Sequence, residues 1–254
     1  MMLLCACGIA HAQGDSALPR MAKGADPDWE VVAVRASDPD SKESGYQVSG
    51  RREILLLRQT VEAMLMVGYG IHTKQIADAP DWVRTTAWDV RGIPDVPGEP
   101  DTEQVRSLVR KLLAVRFGLK VHTEKHEMAV FALTVAKGGA KLKASEGDPN
   151  GLPDENDSEN GGESTVVFTN APLSLLVTVL DFRVDRPVVD RTGVDGRYDL
   201  KLRYTMDESR APTDGIAAPG LFTAMEEQLG LKLEPMRSEA NVMVIDKVER
   251  PGAN

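Results

Sequence analysis

The apolar positions of this chain alternate more often than they recur in helical steps. Trp29-Glu-Val-Val-Ala-Val-Arg35 alternates as a strand, Tyr46-Gln-Val-Ser49 as a short one, and Ile54-Leu-Leu-Leu57 reads as a buried one. From Thr60 to Tyr69 the period changes: Val61, Met64, Leu65 and Gly68 fall on one helical face. Thr85 to Val90 returns to strand, and Pro94, Pro97 and Pro100 stiffen the loop that follows. Asp101 is placed to cap a helix that carries Val105, Leu108, Val109, Leu112 and Leu113, with Gly118 at its C′ position. Leu119–His122 and Met128–Val135 read as the arms of a hairpin, with a bend near Lys125. Residues 144–164 have no apolar period and read as a disordered acidic linker.

The second half echoes the first. Arg116-Phe-Gly-Leu-Lys-Val121 matches Gln228-Leu-Gly-Leu-Lys-Leu233, and Val130-Phe-Ala-Leu133 matches Val242-Met-Val-Ile245, both at a spacing of 112. Asp78 and Asp190 keep that spacing, as do Arg58 and Asn170, and Trp88-Asp-Val90 precedes Tyr198-Asp-Leu200 by 110. Asn170-Ala-Pro172 reads as an N-cap with proline in the first turn. A nearly constant spacing across separate elements predicts an internal repeat. The expected fold class is α+β, with two tandem β-α-β-α-β-β repeats over 29–143 and 165–250 and mostly antiparallel sheets.

Charge alters the functional picture. The formal net charge is −9, and 144–164 carries seven acids and no base, so the rest of the chain is close to neutral. No basic stripe is present to neutralise phosphates, which argues against nucleic acid as a partner. Met1 to Ala12 is a short apolar run ending in Ala10-His11-Ala12, the small-residue pattern of an export cleavage site. Residues 1–12 are therefore expected to be a signal peptide and 13–28 a flexible leader. Both cysteines, Cys5 and Cys7, lie inside that run, so the exported chain is expected to hold neither disulfide nor thiolate site. No transmembrane segment is expected in the mature chain.

Several stretches together carry a family resemblance: Trp29-Glu-Val-Val-Ala-Val-Arg-Ala-Ser37, Pro80-Asp-Trp82 with Trp88-Asp-Val90, and Leu112-Leu-Ala-Val-Arg-Phe-Gly-Leu-Lys-Val-His122. Ala136-Lys-Gly-Gly-Ala-Lys-Leu142, Arg186-Pro-Val-Val-Asp-Arg-Thr-Gly193 and Leu221–Leu233 complete the set. Over roughly 29–250 the chain resembles the soil-associated family of unknown function abundant in Acidobacteria. The resemblance implies an exported protein. Because some relatives carry the domain behind a membrane metallopeptidase of the antibiotic-sensor type, it also implies an extracytoplasmic sensing or binding role. Each half is faintly similar to the short N-terminal domain of secretins and TonB-dependent transducers, a protein-contact module. The chain departs from the family at Arg58, where a capping Asn is usual.

Candidate chemistry is sparse. Val188-Val-Asp-Arg-Thr-Gly193 resembles the apolar-Asp-Thr-Gly of aspartic proteases, but Arg191 intervenes and the matched Asp78 is followed by Ala79-Pro80. An Asx-type turn at Asp190, with Gly193 and Gly196 supplying positive φ, is the structural alternative. His122, Glu124 and His126 would share one strand face and could hold a metal; a bend at Lys125 would scatter them into a solvated hairpin tip, the preferred reading. His72 reads as a surface histidine. Trp82 and Trp88 fit core packing better than a sugar-stacking platform, and Met64, Met66, Met225 and Met243 fit core filling. No G-x-S-x-G elbow, G-x-G-x-x-G or P-loop is present. No catalytic, cofactor or metal residue is assigned. The expected role is a non-catalytic extracytoplasmic module, periplasmic or secreted, that binds an envelope protein or extracellular ligand. The alternative is an extracytoplasmic hydrolase acting on polysaccharide or peptide.

Overall fold

The computed structural model describes residues 19–41, 43–49, 52–149, 153–160, 162–205 and 218–252. In chain order the elements are β1 (Trp29–Ala36), β2 (Gly45–Ser49), β3 (Glu53–Thr60), α1 (Val61–Tyr69), β4 (Ile76–Ala77), α2 (Trp82–Thr85), β5 (Ala87–Pro94), α3 (Thr102–Arg116) and β6 (Lys120–Val135). There follow β7 (Lys143–Ala144), β8 (Asp154–Asn160), β9 (Glu163–Pro172), α4 (Leu173–Asp181), β10 (Val188–Asp190), β11 (Arg197–Thr205), α5 (Leu221–Ala224) and β12 (Leu231–Lys247). The fold is mixed α+β with mostly antiparallel sheets and few helices.

The chain forms two units, one of Met1–His126 with Glu239–Asn254, the other of Glu127–Ser238. These units do not follow the expected boundaries at 29–143 and 165–250. β6 gives its first residues to unit 1 and its remainder to unit 2, while β12 does the reverse.

In unit 1 an antiparallel sheet of order β1-β5-β3-β2 lays Val34, Val90 and Leu56 in one row. α1 and α3 close over it because Val61, Met64 and Leu65 meet Val109, Leu112 and Leu113. Thr60 caps α1 through the Ala63 N–H, and Asp101 and Gln104 form a reciprocal capping box on α3, as their spacing predicts. The end of β12 completes this core: Met243 pairs with Ile76 of β4 in parallel, and Met243 and Ile245 join the cluster.

In unit 2 the sheet runs β7-β11-β9-β8, with Val166, Phe168, Leu200 and Leu202 facing α4. Here the latter part of β6 completes the core. Val188, Val189 and Asp190 of β10 pair in parallel with Phe131, Ala132 and Leu133.

A matched device sits in each unit. Leu57 and Arg58 oppose the single Asp89, and Thr169 and Asn170 oppose the single Asp199, so both strands bulge. Arg58 and Asn170 have the same φ of 52°, and in each case the opposing aspartate accepts the freed backbone N–H, at 3.1 and 3.0 Å. Asn170 is thus a left-handed bulge residue rather than an N-cap; the α4 cap position is Pro172. Asparagine suits that slot because it tolerates αL, which is the strain Arg58 carries.

Three further expectations change. The expected hairpin over 119–135 is instead a single strand of 16 residues, β6, which runs extended through the expected bend at Lys125. Residues 143–144 and 154–160, within or beside the predicted linker, are strands on either side of the β9–β11 pair. The described part of the leader is tied down. Met21 is buried, its N–H bonds Glu99 O, and Gln104 Nε2 donates to Ala22 O and Ala25 O. The expected signal peptide, residues 1–12, lies outside the described residues.

Candidate functional site

Because β6 stays extended through Lys125, strand alternation puts His122, Glu124 and His126 on one face of unit 1. Asp246 of β12 joins them. His122 Nδ1 stands 2.8 Å from Asp246 Oδ1, and His122 Nε2 stands 3.3 Å from Glu124 Oε1. His126 Nε2 stands 2.6 Å from Glu124 Oε2. All four side chains are about half exposed. A neutral imidazole has one N–H, so bonding carboxylates through both nitrogens calls for a second proton on His122. The Glu124 contact, then Asp246, accordingly pushes the His122 pKa above its ordinary value, and His126 followed by His122 pulls Glu124 below its own. The hairpin-tip reading of these residues is corrected. Among the described residues, however, no group of three or more His, Cys, Asp or Glu is arranged to hold a metal ion.

The other flagged residues are committed elsewhere. Asp190 Oδ1 accepts Thr192 N at 2.8 Å and Thr192 Oγ1 at 2.7 Å, an Asx-type turn, with Gly193 at φ 63° and Gly196 at φ 122°. Asp78, its would-be partner, belongs to the other unit and has φ 55°. His72 is not a surface residue: it is 3% exposed and caps the 3-10 turn Thr73–Gln75, accepting Lys74 N on Nδ1 at 3.0 Å. Trp88 is buried edge-on against Phe117 at 5.6 Å and Trp82 at 6.4 Å, and the Arg250 guanidinium lies 5.6 Å from the Trp82 ring. Met64, Met66, Met225 and Met243 are core.

Sequence reasoning missed a second group of ionisable side chains in unit 2. In β8, Glu155 and Asp157 lie in the rows of Phe168 and Val166, on the side that β9 and β11 fill with core residues. Burial, then the neighbouring Asp157, pushes Glu155 up to about 7 against the pull of Arg183. The Asp157 side chain is 5% exposed and paired with Arg183. Nearby, the Tyr204 hydroxyl is buried beside Ser164 without a hydrogen bond of ordinary geometry among the described residues. Asp181, at the end of α4, is pushed up to about 6 by burial although its Oδ1 accepts Val188 N at 2.8 Å. No hydrophobic alternation marks Asp154-Glu-Asn-Asp-Ser-Glu-Asn160, so the sequence offered no strand signal. Unit 2 also has a cavity of about 370 Å³ lined by Gly138, Gly139, Lys141, Thr223, Glu226 and Glu227. None of the residues weighed from sequence as candidate chemistry borders it, although its lining falls in the two stretches, 136–142 and 221–233, that carry the family resemblance.

No helix among the described residues is long and apolar enough to cross a membrane. No curated protein and no solved structure matches the chain. Residues 62–248 match the family described as Protein of unknown function (DUF3738), and the chain belongs to that family.

Proposed function

We propose that this protein is an exported, non-catalytic module that binds an envelope protein or extracellular ligand through the imidazole–carboxylate face of unit 1. The observation that carries the reading is the line Asp246–His122–Glu124–His126, four half-exposed side chains in mutual contact on an open strand face. Such a face presents proton-bearing donors and acceptors at strand spacing, and it suits recognition of a polar surface. Export rests on the Ala10-His11-Ala12 pattern, with cleavage expected before Gln13.

The internal repeat belongs to the same reading. The matched bulges at Arg58 and Asn170 and the matched glycines Gly118 and Gly230, at φ 58° and 62°, support two copies of one unit whose last strands have changed places. The hydrolase alternative draws on one observation, a Glu155 that holds its proton to near neutrality beside an Asp157 paired with Arg183.

A photo-crosslinking residue at Lys120, exposed on the β6 face, tests the binding reading in intact cells. Adducts are expected there, lost in a His122→Ala/His126→Ala chain and absent from a control position at Lys201. Adducts that survive the double substitution, or release of reducing sugars or peptides by the purified protein, would overturn it.

A further inference from the structure

β8 differs from β9 and β11, the long strands of its sheet, in what it turns toward the core. It pairs along its length with β9, from Asp154 opposite Thr169 to Asn160 opposite Glu163. Inward positions on β9 and β11 are Val166, Phe168, Leu200 and Leu202, each at most 4% exposed. In the same rows β8 supplies Asp157 and Glu155, and no β8 residue enters the core cluster. At the corresponding edge of unit 1, β2 packs Tyr46 against its core. Among the described residues β8 is therefore fastened by its backbone ladder, the ion pair of Asp157 with Arg183 and a long Ser158 Oγ donation to Thr165 O at 3.5 Å, without the apolar burial that holds β9 and β11. Inward charges are one way a sheet discourages pairing at its edge. They also make β8 a poor occupant of the position it fills.

We propose that the outer edge of β9 is a strand-addition site, that β8 occupies it as a weak internal ligand, and that the partner it fits is an extended segment with an acid opposite Val166 and an apolar residue two positions before it, opposite Phe168. The acid takes over Arg183 from Asp157. The apolar residue replaces Glu155, where burying a valine tightens the pairing on the order of tenfold. This surface is in unit 2 and is independent of the unit 1 face.

The groups facing Glu155 are Asp154 and Asp157 of β8 and Arg183 after α4, while Ser164 and Tyr204 lie in the row of Glu159, one beyond that of Asp157. Docked β8 favours a protonated Glu155, which titrates at about 7, whereas a released carboxyl returns to its ordinary 4.5. Between pH 6 and pH 8 the equilibrium for release therefore rises about tenfold.

Amide hydrogen exchange on the full chain, corrected for the intrinsic rate, reads that change directly. Protection over residues 154–160 is expected to fall about tenfold from pH 6 to pH 8, and to stay constant in a Glu155→Gln chain with an unchanged circular dichroism spectrum. The second probe is a synthetic peptide of residues 153–160 carrying Glu155→Val. It is expected to bind the full chain more tightly at pH 8 than at pH 6, and to lose binding when Asp157→Lys is added. Protection that ignores pH in the unaltered chain, an unchanged pH response in Glu155→Gln, or equal binding of the two peptides would each overturn the proposal.

Discussion

Asp89→Ala tests whether the bulge is a structural joint. One carboxylate there holds three groups: Oδ1 accepts Ser37 Oγ at 2.7 Å and Arg58 N at 3.1 Å, and Oδ2 accepts Arg35 Nη2 at 3.3 Å. Truncation leaves the Arg58 N–H inside a bulge without its acceptor, which costs about 1–3 kcal/mol. The left-handed Arg58 then keeps its strain, about 1–2 kcal/mol, without the bond that imposes it, and the strand can relax into a different pairing. Arg35 is 70% exposed, so its ion pair adds at most about 1 kcal/mol. A loss of about 2–3 kcal/mol follows. With a urea slope of about 1–3 kcal/mol per molar, the midpoint falls by roughly 1 M. Trp29, Trp82 and Trp88 all belong to unit 1, so tryptophan fluorescence follows the unit that carries the change. Burial pushes Asp89 up, but the Ser37 hydroxyl, the Arg58 N–H and Arg35 outweigh it and hold the carboxyl below its ordinary 3.8. A depressed folded pKa contributes stability above the unfolded value and loses it as pH falls through the folded one. The gap between the unaltered chain and Asp89→Ala must therefore close as pH drops below 3.8. An unchanged midpoint, or a gap that widens in acid, refutes the reasoning.

Gly230→Ala should destabilise unit 2 by about 2–4 kcal/mol, because its φ is 62° and a Cβ would sit 2.1 Å from Gly139 O. Gly138→Ala, which meets nothing within 4 Å, should stay within about 0.5 kcal/mol, and circular dichroism melts compare the two. Asp181→Asn keeps the acceptor for Val188 N and removes a buried charge whose folded pKa, about 6, lies above its ordinary 3.8. The ionised form is penalised as pH climbs between those values, so the variant should gain about 1–3 kcal/mol at pH 8 and almost nothing at pH 3.5. Equal gains at both pH values would be the contrary result.

What the sequence made legible was local. Asp101 and Gly118 marked helix ends because capping depends on residues a few positions apart, whereas α1 is capped by Thr60 and not at Arg58, where the resemblance implied a cap. Arg58 and Asn170, which stand 112 apart, share a φ of 52°. The pairing was not legible. Glu234-Pro-Met-Arg-Ser-Glu-Ala240 has turn character by composition, yet β12 runs through it with β6 as its neighbour in the sheet, a tertiary context that overrides local preference. β8 escaped for the opposite reason: a strand without an apolar face has no period to detect. His72 looked like a surface histidine because its burial depends on packing that its neighbours in sequence do not reveal.

The spacing of 112 also bears on whether the unit 1 face is more than surface decoration. His122 corresponds to Glu234 at that spacing, and Asp246 corresponds to Thr134. In unit 2 those counterparts also meet: Thr134 Oγ1 donates to Glu234 Oε2 at 3.2 Å, where unit 1 has His122 against Asp246 at 2.8 Å. The cross-strand contact is thus a property of the architecture, which accepts a hydroxyl and a carboxylate as readily as an imidazole and a carboxylate. The remainder of the line is not repeated, since the counterparts of Glu124 and His126 are Met236 and Ser238. Packing requirements shared by both units therefore account for one polar pair at this slot, and leave the two imidazoles and Glu124 unaccounted for. Exposed groups that the fold does not need, held in register with one another, are what a recognition surface requires. Unit 2, with Lys232 on Glu234 at 3.0 Å and no imidazole, offers the same backbone with that chemistry removed.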